Sequence, residues 1–174
     1  MTKNTEIKTG IGPVEKNIVI DFSFDTVWVS ENVGQFSNFL KDEEMFFKKH
    51  YELFSEIVFE ASQIPRKNLK SKFGNHAHKL SGEQIEVSKK VLKKLIRKVH
   101  SDFTVKQTED FVTQNVGDEE LHQIGRQGLR LIGYYKDNVF YVLFIDYHHL
   151  VSPDSLHNAE DVAVYELCPY ARGC

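Results

Sequence analysis

The sequence predicts an α+β fold, two helices packed on an antiparallel sheet with a central C-terminal hairpin. Three observations carry this. Two segments, 41–63 and 82–99, repeat apolar residues at three- and four-residue steps, the period of a helix with one buried face. Two later segments, 129–135 and 139–146, are rich in β-branched and aromatic residues and are joined by Lys136-Asp137-Asn138, which are turn formers. The length of 174 residues suits one domain, large enough to bury roughly 70% of its unfolded surface around 13 Phe and 7 Tyr.

Residues 1–16 read as a flexible tail closed by Gly10, Gly12 and Pro13, and 17–174 as the domain. From Ile18 the pattern alternates, with Ile18, Ile20, Phe22 and Phe24 on one face, which is a strand period. Residues 30–37 read as a loop. In the helix expected over 41–63, Asp42 is placed to cap, and Glu43 and Glu44 suit the positive N-terminal end. Phe47, Tyr51, Phe54, Val58 and Ala61 form its expected buried stripe, and Pro65 ends it.

Residues 65–80 read as a basic loop. Ser81 and Gln84 have capping-box spacing ahead of the second helix. Its buried stripe is Ile85, Ser88, Leu92, Leu95, Ile96 and Val99. A short helix is expected near Thr108–Asn115 and a strand near Glu120–Ile124. Strand 139–145 is apolar on both faces and should be central. Beyond residue 152 a loop leads to a short element near Asp161–Leu167.

Charge is concentrated. Residues 65–100 hold 11 of the 22 Lys and Arg and only two acids, a formal +9, while 1–64 and 101–174 carry −5 and −7. A mildly acidic chain with one cationic segment is suited to hold an anion there. Nucleic-acid phosphate is the first candidate and an acidic protein the second. Arg66, Lys67, Lys70, Lys72, Lys89, Lys93, Lys94 and Arg97 are the expected nucleic-acid-binding residues.

No apolar run reaches the roughly 20 residues of a membrane span, and residues 1–17 lack a signal-peptide layout. The expectation is a cytoplasmic protein with no membrane partner. Cys168 and Cys174 are accordingly expected as free thiols.

Eight histidines include His76-x-His78 and Asp146-Tyr147-His148-His149. Their imidazoles suit acid/base work. Together with Asp146 they could supply nitrogen and oxygen ligands, but no zinc-site spacing is present and no metal or cofactor is expected. Arg130 opens a hydrophobic strand, where a charge needs a partner or a ligand. It reads equally as an anion clamp or as a pair with Asp146 or Glu120. Gly125 and Gly128 match no nucleotide-binding fingerprint.

Two helices, the second basic, then a meander with Gly128-Leu129-Arg130-Leu131-Ile132 and a strand end Asp146-Tyr147-His148-His149-Leu150, resemble the RelE/ParE group of bacterial toxins over about residues 119–152. Leu129 stands where that group favours Tyr, and His149 where it often has Arg. The resemblance implies a metal-independent endoribonuclease acting on RNA, with an acidic antitoxin as partner. It makes Arg130 the phosphate clamp, His149 the acid or base, and Lys136 or Tyr134 the support. The Asp146-x-x-His149-Leu150 stretch is also similar to small uncharacterised proteins of mobile elements and phages. The alternative function is therefore a non-enzymatic protein that binds nucleic acid or an acidic host protein through 65–100.

Overall fold

In the computed structural model, which describes residues 15–151 and 162–170, the chain runs β1 (Val19–Asp21), β2 (Asn32–Val33), β3 (Phe36–Ser37) and then a long helical rod. The rod is α1 (Glu43–Tyr51), a π-helical stretch (Glu52–Val58) and α2 (Phe59–Ser62). After it come α3 (Leu69–Phe73), β4 (Ala77–Lys79), α4 (Glu83–Val99), α5 (Val105–Asn115), β5 (Leu121–Arg126), β6 (Leu129–Lys136) and β7 (Val139–Asp146). A 3-10 turn at Val162–Val164 and a bridge between Leu40 and Leu167 follow. Most of the expected tail and the loop opening at 152 lie outside the described residues.

The fold is α+β, and the 129–146 hairpin is at its centre, as the sequence indicates. The five-stranded sheet has the order β1-β7-β6-β5-β4. Strands β4 to β7 are antiparallel, but β1 pairs parallel with β7, so the sheet is mixed rather than wholly antiparallel. The chain expected as a loop at 30–37 makes the small β2–β3 hairpin, turned by Gly34 at φ 63°. The expected basic loop 65–80 holds α3 and β4.

The alternation of β6 divides two cores. Leu129, Leu131 and Tyr135 join Leu53, Ile57 and Ala61 of the rod and Leu69 and Phe73 of α3. Ile132 and Tyr134 join Val91, Leu92, Leu95 and Ile96 of α4. The two main helices therefore lie on opposite faces of the sheet. Both cores are built mainly of apolar side chains, and burial of this kind is the main source of folding free energy.

The β6–β7 hairpin is not in simple register. Gly133 faces Val142 while Ile132 faces Phe144, so Leu143 is an extra residue in β7. The bulge leaves the Leu143 carbonyl to accept the Thr26 hydroxyl at 2.6 Å. It also moves Arg130 opposite Asp146. Continued without the bulge, the register of Gly133 and Val142 would have set Arg130 opposite Ile145.

Local signals explain the helix ends. Asp42 accepts from the Met45 N–H at 2.8 Å, as a cap should. Gln84 accepts from the Ser81 N–H at 3.3 Å, the reciprocal half of a capping box, though α4 begins one residue later, after Gly82 at φ 51°. Thr104 and Gln107 make a complete box at α5.

The rod departs from expectation in what it buries. Leu53, Ile57 and Ala61 face the core, whereas Phe47, Tyr51 and Phe54, expected inside, are exposed. The π-helical stretch closes with the Phe59 N–H on the Phe54 carbonyl, five residues back. Each such turn takes in an extra residue, so the phase begun by Phe47 and Tyr51 is not kept. Among the described residues no helix is long and apolar enough to cross a membrane.

This orientation is testable by urea unfolding. Ile57→Ala is expected to cost about 2–5 kcal/mol, the range for a cavity in an aliphatic core. Phe47→Ala should stay within about 0.5 kcal/mol. Equal losses would mean that the rod is turned the other way.

Candidate functional site

The sequence-marked polar residues gather at the end of the hairpin where β6 begins and β7 ends. Arg130 is only 1% exposed. Its Nη1 donates to the carbonyls of Gln127 and Leu129, both at 2.8 Å. Its Nη2 donates to His76 Nδ1 at 2.8 Å. A guanidinium can only donate, so His76 Nδ1 is an acceptor here and carries no proton. Gly125 across the ladder makes room: a Cβ there would lie 2.6 Å from Arg130 Cδ and 2.1 Å from the Leu129 carbonyl oxygen.

Burial pushes the Arg130 guanidinium down to about 10, and the nearby Asp146 charge opposes that shift. Asp146 is itself fully buried. Its burial raises the carboxyl above the ordinary carboxylate range, against backbone N–H groups of Val151, Leu150 and His148 that favour the ionised form. The His148 N–H donates to one carboxylate oxygen at 3.2 Å and the Val151 N–H to the other at 2.8 Å. The carboxylate thus winds residues 147–151 around itself and holds His149 at φ 59°, a left-handed conformation uncommon for a side-chain-bearing residue. His148 Nε2 donates to the Phe39 carbonyl at 2.7 Å, and its ring meets the edge of Tyr165.

A second polar contact continues this row. His78 Nδ1 donates to the Lys79 carbonyl at 2.7 Å, leaving Nε2 to accept the Gln123 amide at 2.9 Å. Among the described residues, Arg130 Nε and Gln123 Oε1 have no hydrogen-bond partner.

The expected catalytic set is therefore split. Arg130 and the turn bearing His149 share one end of the sheet, but Arg130 is not an open clamp. Lys136 lies six residues further along β6 and Tyr134 four, about 20 Å and 13 Å away at strand rise. Tyr134 is buried and donates to the Asn115 carbonyl at 3.1 Å, whereas Lys136 is exposed.

The eight expected nucleic-acid-binding residues also divide. Those of 66–72 belong to the sheet face covered by the rod and those of α4 to the other. Arg66 stacks on the Tyr135 ring at 4.0 Å. Lys67 pairs with Glu15, Lys72 with Glu60 and Lys93 with Glu109. Among the described residues Lys70, Lys89, Lys94 and Arg97 have no acidic partner, and neither do their neighbours Lys90 and Lys98. No group of three or more His, Cys, Asp or Glu is arranged to hold a metal ion among the described residues. Cys168 is disulfide-bonded, against the expectation of a free thiol, and Cys174 lies outside the described residues.

Sequence reasoning missed one feature here. Lys41, Lys48 and Lys49 line a cleft of about 410 Å³ with the acids Asp42 and Glu44 and with His148. These lysines sit in the acidic third of the chain, so counting charge by segment hid them.

The family model described as "Uncharacterised protein UU032" matches residues 23–172, from just after β1 to beyond the last described residue. The chain belongs to the UU032 family. It is 28% identical over 158 residues to the "Uncharacterized protein UU032" of Ureaplasma parvum serovar 3 (strain ATCC 700970), covering 90% of this chain and 82% of that one. No solved structure matches. The UU032 match takes in Arg130, Asp146, His149 and the whole of α4.

Removing Arg130 takes the donor from the Gln127 and Leu129 carbonyls and from His76 Nδ1, so Arg130→Met should lower stability by about 2–4 kcal/mol in denaturant unfolding. A loss under 1 kcal/mol would show that these hydrogen bonds are not the anchor described.

His122 offers a pH-dependent counterpart. It packs edge-on to Tyr135, with ring centroids 5.0 Å apart. Burial, then the Arg66 charge, pushes its imidazole down to about 4 from the ordinary 6.5. The unfolded chain binds that proton first, so the contribution is complete above about pH 6.5 and is lost as pH falls toward 4. His122→Phe keeps a ring and cannot titrate. Its urea midpoint should drop less between pH 7 and pH 5 than that of the unaltered protein; an equal drop would refute the assignment.

Proposed function

We propose that this protein is a non-catalytic binding protein that holds nucleic-acid phosphate on the exposed face of α4. The observation that carries this is the row Lys89, Lys90, Lys94, Arg97 and Lys98, which has no acidic partner among the described residues although acids outnumber bases in the chain, 25 to 22. A purely structural account falls short. Cations do stabilise the negative C-terminal end of a helix, but that end carries about half an elementary charge, so it accounts for one cation and not for five. The buried stripe of Ser88, Val91, Leu92, Leu95 and Ile96 fixes the helix rotation and turns the cations outward. Lysines outnumber arginine four to one in this row. Lysine is a point charge without the fixed fork that reads base edges, which favours sequence-blind backbone contacts.

The RNA-cleaving reading keeps one supporting observation: Asp146 brings the Arg130 strand and the His149 turn to the same end of the sheet. Against it, Arg130 is buried, with both Nη1 bonds spent on carbonyls.

Changing Lys89, Lys90, Lys94 and Arg97 together to Ser should leave the fold intact and sharply weaken binding of a generic RNA or DNA oligonucleotide. The slope of log K against log salt should flatten by about 3, at roughly 0.7–0.9 for each phosphate no longer neutralised. Binding unaffected by these changes would remove the proposal. The same preparations incubated with RNA separate the two readings: cleavage that disappears in His149→Ala would favour the nuclease.

A further inference from the structure

The rod carries a second apolar stripe that the core does not use. Phe47, Tyr51, Phe54 and Phe59 are 67%, 63%, 44% and 61% exposed, and Trp28 beside them is 40% exposed. Most of these rings form a continuous chain. Phe47 touches Phe46, Phe46 touches His50, His50 touches Phe54, Phe54 touches Phe22 and Phe22 touches Trp28, with centroids 4.0–6.3 Å apart. At about 200 Å² per aromatic side chain, the five exposed rings present roughly 550 Å² of apolar surface. That is at the upper end of what a soluble monomer leaves bare.

We propose that this face is the interface of a two-fold symmetric homodimer in which two rods pack antiparallel, with the axis beside Tyr51. The area fits: with a polar rim it approaches the roughly 800 Å² per partner of a stable protein interface. The composition fits, since aromatic rings with few charges are what interface centres hold.

Charge selects a second copy as the occupant. One end of the stripe is acidic: Glu43 and Glu44 are exposed and have no ion-pair partner among the described residues. The other end is cationic, because Lys72 and Arg126 share the single carboxylate of Glu60, at 3.1 and 2.6 Å. Glu43 lies eight residues before Tyr51 and Glu60 nine after it. A two-fold axis at Tyr51 therefore lays Glu43 and Glu44 of each copy beside Lys72 and Arg126 of the other. The same operation opposes the two helix dipoles, and it is isologous, so it closes at two copies. The interface and α4 lie on opposite faces of the sheet, so loss of one leaves the other intact.

The test is sedimentation velocity of the full chain across micromolar concentrations. The expected result is a species of twice the 20.2 kDa chain mass. Phe47→Lys with Tyr51→Lys should return it to the monomer mass with unchanged circular dichroism, since both side chains are exposed. Under mild oxidation Tyr51→Cys should cross-link to its counterpart, whereas Glu43→Cys should not, because the antiparallel arrangement separates the two Glu43 positions. A parallel pair would cross-link at both. Glu43→Lys with Glu44→Lys should raise the dimer dissociation constant several-fold at low salt, and the difference should fade in 1 M NaCl. Unaltered protein that remains monomeric at 100 µM, a dimer that survives the double Lys change, or cross-linking at Glu43→Cys would each overturn the proposal.

Discussion

A carboxylate with no access to water governs one end of this molecule. Asp146 is fully buried where β7 ends, and isolated in such a place it would neutralise itself or unfold its surroundings. Three consequences keep it in place. The chain after β7 turns back so that backbone N–H groups at 148, 150 and 151 point at it. Arg130 stands directly across the ladder, its guanidinium spent on the Gln127 and Leu129 carbonyls and on His76. Gly125, one strand further, leaves out a side chain so that the Arg130 stem can lie flat. The Leu143 bulge belongs to the same arrangement, because without it the arginine would sit opposite Ile145, one residue short of Asp146. Buried charges add little net stability compared with apolar side chains, but a shift of register would part these two from the groups that satisfy them. That is a reason for a hairpin apolar on both faces, and otherwise free to slip, to settle in one pairing.

Much of the fold was legible because its signals are local. The two long helices, α5 and strands β5 to β7 rest on periodicity and turn chemistry within windows of some ten residues. What was not legible depends on partners far away in the chain. The parallel pairing of β1 with β7 leaves no mark in residues 19–21. The rod presents two apolar stripes, one led by Phe47 and Tyr51, the other by Leu53, Ile57 and Ala61. Helical spacing alone cannot say which meets the sheet, and the larger rings are the ones left outside.

The polar residues show the same division. That Arg130 and Asp146 could pair was readable, since a charge in a hydrophobic strand needs a partner. That His76 would accept from the arginine was not, because β4 reaches β5 across more than forty residues. A linear count finds the cationic segment. It cannot see that α3 and α4 lie on opposite sides of the sheet, or that Lys67, Lys72 and Lys93 already have acidic neighbours. What stays exposed and unpartnered belongs mainly to α4, which narrows the proposed phosphate surface to a single helix.

The parallel strand β1 also affects the order in which the protein can assemble. Val19 pairs with Val139, so some 120 residues must be made before β1 has anything to join. Closing a loop of that length costs entropy that grows only slowly with size, yet the contact cannot form early. The β5–β7 meander, by contrast, closes on itself through short turns. It is the natural nucleus, with β1 and the rod docking afterwards. On the ribosome the apolar residues Ile18 and Ile20 emerge some 120 residues before the strand that pairs with them. For that interval they are the part of the nascent chain most exposed to wrong partners.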